Sequence, residues 1–113
     1  MIERGTIWWV DLGEQRGSAP GFYRPVLIIQ ADAFNRSRIQ TLIVVILSSN
    51  LRLLSAPGNV LVPARLSGLP KDSVANVSQV MTVDRSDLQE LAGRLDGPTL
   101  RQVEAGLRLV LHL

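Results

Sequence analysis

The sequence predicts an α+β domain in which an antiparallel, curled sheet is followed by one terminal helix. Three observations carry this. Strand-length runs of β-branched and aliphatic residues recur along the first two-thirds of the chain, broken by Gly, Pro, Asn and Ser. The longest apolar run, Leu42–Leu47, is the size of a strand, not of a membrane helix, which needs about 20 residues. Helical spacing of apolar residues is clear in one place, beyond Gly97-Pro98.

Each element follows from local composition. Residues 5–11 (Gly-Thr-Ile-Trp-Trp-Val-Asp) form a first strand, with Trp8 and Trp9 on opposite faces. One Trp is expected to be buried; the other is either structural, a stacking surface for a base, or part of a dimer interface. Residues 12–23 hold three Gly and one Pro, a loop longer than most connections in a compact domain. Residues 24–31 make a second strand, with Pro25 at its start where a missing N–H is tolerated. Asp32–Arg38 is a polar turn. Residues 39–47 form a third strand whose unbroken apolar run places it centrally, buried on both faces. A short strand is expected at 59–62 and a loop at 63–72. Residues 73–84 read as two short strands with a kink near Ser78-Gln79. Ser86 caps a brief helical turn. In the last element Leu100, Val103, Leu107, Val110 and Leu111 share a face, and Glu104 and Arg108 are an i,i+4 pair. That stripe reads as core, with a partner surface as the second reading of its Leu-rich end.

Composition excludes several classes. At 113 residues, 46% hydrophobic, with mean hydropathy +0.19, the chain is sized for one domain, residues 1–113, with a packed core. No signal peptide is visible, and with no Cys there is no disulfide framework or thiolate metal site. A cytoplasmic protein without cofactor or metal is the expectation. Net charge is only +2, too little for a nonspecific nucleic-acid coater but enough for a local anion site. Eleven of the twelve basic residues are Arg and Lys71 is the only Lys, which reflects either genome composition or recognition of phosphate and carboxylate.

The segment of greatest interest is 16–31. A Gly- and Pro-containing loop ends in Arg24-Pro25, and a buried strand begins at once. A guanidinium at a strand mouth beside a long loop is a natural phosphate contact, because its planar fork matches phosphate oxygens in pairs. Arg24 as a plain surface charge is the bland alternative.

Several pieces, in this order and spacing, resemble the MazF/PemK toxins of bacterial toxin–antitoxin pairs. They are Arg4-Gly5-Thr6-Ile7-Trp8-Trp9-Val10-Asp11-Leu12, Arg16-Gly17-Ser18, Arg24-Pro25-Val26-Leu27-Ile28-Ile29, Asn35-Arg36, the Ile43–Ser49 strand end, Gly68-Leu69-Pro70-Lys71-Asp72-Ser73 and Gln79-Val80-Met81-Thr82-Val83-Asp84. The resemblance implies a small SH3-like barrel of the CcdB/MazF type and a homodimer. It also implies a sequence-specific, metal-independent endoribonuclease acting on single-stranded RNA, and inhibition by an antitoxin with a disordered acidic and apolar tail. By the same resemblance Arg24 and Ser48 are catalytic, Ser48 standing where the family has Thr. Arg16, Gly17, Ser18, Ser49 and Gln79 would contact RNA. The family often has Glu where this chain has Ala19; Glu14 is the nearby carboxylate. For Arg16 and Gln79 a purely local role stands beside the functional one.

The implied chemistry uses the RNA's own 2′-OH to attack phosphorus, leaving a 2′,3′-cyclic phosphate and a 5′-OH. Arg24 suits charge stabilisation and not proton abstraction, since Arg stays protonated. The lone His112 rules out a paired-His site, and Asp72, Asp84 and Asp87 read as turn and cap residues. The runners-up are a non-enzymatic toxin of the same fold that inhibits DNA gyrase, and a degenerate homologue that binds RNA or antitoxin without cutting.

Overall fold

The structure, a computed structural model, describes residues 2–14, 17 and 22–113. Among these residues six strands form one sheet: β1 (Thr6–Asp11), β2 (Tyr23–Ile28), β3 (Thr41–Ser48), β4 (Val60–Val62), β5 (Ser73–Asp84) and β6 (Leu88–Arg94), in the spatial order β4-β5-β3-β2-β1-β6. Every pairing is antiparallel. Among the described residues three α-helices punctuate it: α1 (Asp32–Asn35), α2 (Ala64–Ser67) and α3 (Gly97–Leu111). The expected α+β architecture, a curled antiparallel sheet with a C-terminal helix, is what forms.

β3 is central, as its composition requires. Val45 and Leu47 enter one buried cluster and Leu42, Val44 and Ile46 the other, so alternate side chains feed opposite faces. The first cluster lies under α3 and takes in Ile7, Leu27, Val62, Val77, Val103 and Leu107. The second gathers Val10, Val26, Ile28 and Val83, with Trp8, Met81 and Leu88 packed against it. On α3, Val103 and Leu107 are buried, but Val110 and Leu111 are 43% and 53% exposed, so the apolar stripe is core only in its first half.

Some local expectations change. β2 ends at Ile28 rather than at 31: the Ile29 and Gln30 N–H groups both donate to Ile43 O, and the Gln30 side chain takes over the bonds to Ile43 N–H and Thr41 O. The polar turn after it contains α1, the loop 63–72 contains α2, and Leu51–Ser55 form a 3₁₀ turn. The segment 73–84 is one strand rather than two. Its kink is a bulge: Val45 pairs with Val80 while the next residue, Ile46, pairs with Asn76, which leaves 77–79 unmatched. The turn before β6 is capped by Asp84, not Ser86; Ser86 N–H and Oγ–H both donate to the Asp84 carboxylate. β6 itself lies in a stretch with no strand signal. Glu104 pairs with Arg4 at 2.7 Å, not with Arg108. Arg4 also donates to Ile29 O and, through its backbone N–H, to Asp32, tying the N-terminal segment to β2, α1 and α3.

Candidate functional site

The cavity of interest forms where two strands part. β2 and β3 pair at Val26–Ile46, Leu27–Val45 and Ile28–Val44, and the ladder stops there. The next residue of β2 is Pro25, which has no N–H to give. Continuing the register places Arg24 level with Ser48 across the splayed gap. The opening is a cavity of about 390 Å³. One wall carries Trp9, Phe22, Tyr23, Arg24 and Pro25; the other carries Leu47 and Ser49 from the end of β3, and Leu69, Pro70, Lys71 and Ser73 from the segment before β5.

Local folding explains each wall. Trp9 lies diagonally across from Tyr23, since Trp9 pairs with Pro25 and Tyr23 with Asp11. Their rings stack with centroids 5.1 Å apart and planes 7° from parallel, a favoured offset arrangement. Phe22 adopts φ 61 and is 60% exposed at the cavity edge. Leu69–Lys71 are aimed inward by Gly68, which ends α2 at φ 77. A Cβ on Gly68 would stand 2.1 Å from Ala92 O of β6, so no other residue fits without movement. Asp72 accepts the Ala64 N–H at 2.8 Å and so closes α2 back onto the same segment.

The cavity therefore combines two cations, Arg24 and Lys71, with a broad aromatic and aliphatic floor and the hydroxyls of Ser49 and Ser73. Anion contact and stacking are the chemistry such a lining offers. Among the described residues, no three His, Cys, Asp or Glu side chains gather to hold a metal ion.

Of the residues singled out from sequence, Arg24 and Ser49 line the cavity. Ser48 is at its level but outside its lining; its hydroxyl accepts the Asn50 N–H at 3.2 Å. Gln79 stands apart, in the β5 bulge, accepting from Asn76 at 3.1 Å. Gly17 has left-handed backbone, φ 58. Arg16, Ser18 and Ala19 lie outside the described residues. Glu14 is exposed and is not in the cavity wall. Tyr23, Lys71 and Ser73 went without a role in the sequence, and for Trp9 base stacking stood beside core and dimer interface, because only the strand pairing and the Gly68 turn bring these residues together. The one available signal was Lys71, the single Lys in an Arg-rich chain.

Comparison with known proteins agrees with this architecture. The family model for PemK-like, MazF-like toxins of type II toxin–antitoxin systems matches residues 3–111. The chain belongs to this family. Endoribonuclease MazF2 of Mycobacterium bovis is 43% identical over 113 residues, covering 100% of this chain and 99% of the relative. Among solved structures, MazF from Deinococcus radiodurans superposes with a TM-score of 0.82 at 23% identity, over 99% of this chain and 97% of that one. An endoribonuclease in complex with its cognate antitoxin, from a mycobacterial species, gives 0.76 at 21%, over 99% and 94%. At these identities the structural likeness establishes the toxin fold.

Proposed function

We propose that this MazF-type toxin is an endoribonuclease that cuts single-stranded RNA at the Arg24 cavity, without a metal ion. The observation that carries the reading is the splayed end of the β2–β3 ladder, where Arg24 and Lys71 share one cavity with the stacked Trp9–Tyr23 pair. The aromatic pair suits an unstacked base and the cations suit the phosphates on either side of it.

The chemistry follows from what RNA supplies. The 2′-oxygen attacks the adjacent phosphorus, the bond from phosphorus to the 5′ oxygen breaks, and the 2′ proton is removed as another is delivered to the leaving oxygen. The products are a 2′,3′-cyclic phosphate and a 5′-OH. DNA, which has no 2′-OH, is not cut. Arg24 holds the non-bridging oxygens, whose charge grows in the transition state. Ser48, level with Arg24, and Ser49, in the wall, supply hydroxyls to the phosphate or the 2′-OH. By the family resemblance Arg16, Gly17 and Ser18 contact the RNA, and Gln79 meets a base beyond the cavity.

The test is cleavage of a long single-stranded RNA in excess EDTA, with ends mapped, for wild type and Arg24→Ala. Discrete cuts with 5′-OH ends, lost by roughly a hundredfold or more in the variant, are expected. Intact RNA with the folded wild type, together with inhibition of gyrase supercoiling, would favour the non-enzymatic reading. The partners proposed with this activity are a second copy, seated on the exposed Leu109, Val110 and Leu111 of α3, and an antitoxin tail whose acidic and apolar residues match the cavity. Light scattering and RNA competition check these two.

A further inference from the structure

Gln79 is joined to the protein interior by a chain of amides whose orientation is set by the backbone. The chain begins at Asn59. Its Oδ1 accepts the Val77 N–H at 3.0 Å, and its Nδ2 donates to Leu53 O at 2.9 Å. A backbone N–H only donates and a backbone C=O only accepts, so this amide has one allowed orientation. The Asn59 Nδ2 also reaches Asn76 at 3.3 Å, so the oxygen of Asn76 faces it. Ser78 donates to the same oxygen at 3.0 Å. The nitrogen of Asn76 is thereby turned to Gln79 and donates to its Oε1 at 3.1 Å. Asn76 is only 7% exposed, so a reversed amide there would leave buried groups unsatisfied. Gln79 is half-exposed in the bulge, its carbonyl occupied, and its Nε2 makes no hydrogen bond to the described residues.

We propose that Asn59 and Asn76 are positioning residues that turn the Gln79 carbonyl inward and present its Nε2 to RNA, so that the base it meets is read through an acceptor. The inference rests on the ribonuclease reading and gives it a specificity rule. At the edge that distinguishes the bases, uracil and guanine offer a keto oxygen, whereas cytosine and adenine offer an amine. A Gln79 that leads with its Nε2 favours the exocyclic keto oxygen of the first pair over the exocyclic amine of the second.

Cleavage of a randomised RNA pool, with all cut sites sequenced, tests this. Wild type is expected to show one fixed position near the cut where guanine or uracil is preferred by about tenfold over adenine and cytosine. Gln79→Glu, at a half-exposed site that leaves the core intact, replaces the donors with acceptors and should reverse or abolish the preference at that position alone. Asn76→Asp removes the donor that holds the Gln79 carbonyl, so the Gln79 amide turns inward to donate and shows its oxygen to the RNA. Its preference should move in the same direction as that of Gln79→Glu. A merely structural role would lower the melting temperature and all cut sites together, leaving the preference unchanged, and that result overturns the proposal. So does a wild-type profile with no keto-over-amino position. A pool left uncut by folded wild type removes the ribonuclease reading, and this inference with it.

Discussion

Arg24 and Lys71 differ in what they offer a phosphate. The guanidinium fork contacts two oxygens in one plane, while the ammonium is a compact point charge. Arg24→Lys should therefore keep RNA affinity within a fewfold yet lose most of the cleavage rate, which single-turnover kinetics would separate. Lys71→Gln is expected to act on binding. Removal of one phosphate contact on a single strand lowers the slope of log affinity against log salt by about 0.7, a change that titrations at several salt concentrations resolve. Because Lys71 is the only lysine, its protection by bound RNA from an amine-reactive reagent can be followed by mass spectrometry without mutation. Trp9→Ala removes half of the stacked pair and should cost about 1–3 kcal/mol of RNA binding.

At the scale of elements, the close approach of α2 to β6 is the most sensitive joint. Gly68→Ala combines an unfavourable φ with a Cβ driven into Ala92 O, and a loss of roughly 2 kcal/mol or more is expected. A drop in melting temperature of about 10 °C would match it; an unchanged one would show that the turn relaxes freely. The same joint explains what the sequence reveals and what it hides. β3 and α3 are legible because Leu42–Leu47 and the Leu100, Val103, Leu107 spacing are strong local signals. β6 is not: Leu-Gln-Glu-Leu-Ala-Gly-Arg has no β-branched residue and is made mostly of helix formers. It becomes a strand because β1 offers an unpaired edge, and it does so with two irregularities in register. The site divides the same way. Arg24 is marked by the Pro that follows it and the loop before it. The Trp9–Tyr23 stack and Lys71 enter only through pairings between distant segments, as does the amide chain from Asn59 to Gln79.

For the whole molecule, three carboxylates make the fold sensitive to acid. Backbone and side-chain hydrogen bonds hold them below the ordinary value of 3.8: from Arg4 N–H and Asn35 to Asp32, from Ser86 to Asp84, and from Thr99 to Asp96. Depressed in the folded state, they contribute stability that is fully present above the unfolded value and is lost as pH falls through the folded ones. The urea midpoint should therefore be insensitive to these groups from neutral pH down to about 5 and fall below about 4. Asp96→Asn keeps a side-chain acceptor at the start of α3 but not the charge, so it should lower neutral stability by the share Asp96 contributes and lessen the acid loss by the same amount. An unchanged acid limb would remove Asp96 from the account.

The two edges of β1 are closed by opposite ends of the chain. Tyr23 to Leu27 pair along one side, and Leu88 to Arg94 along the other. On the ribosome, then, the first strand waits with one edge open until nearly everything else has been made, and α3, which covers the core under the cavity, emerges after that. Arg24, Ser49 and Lys71 are all synthesised long before the sheet that aligns them can close. A nascent chain arrested before β6 should be inert toward RNA, so the toxin's activity would begin only when its last strand and helix are in place.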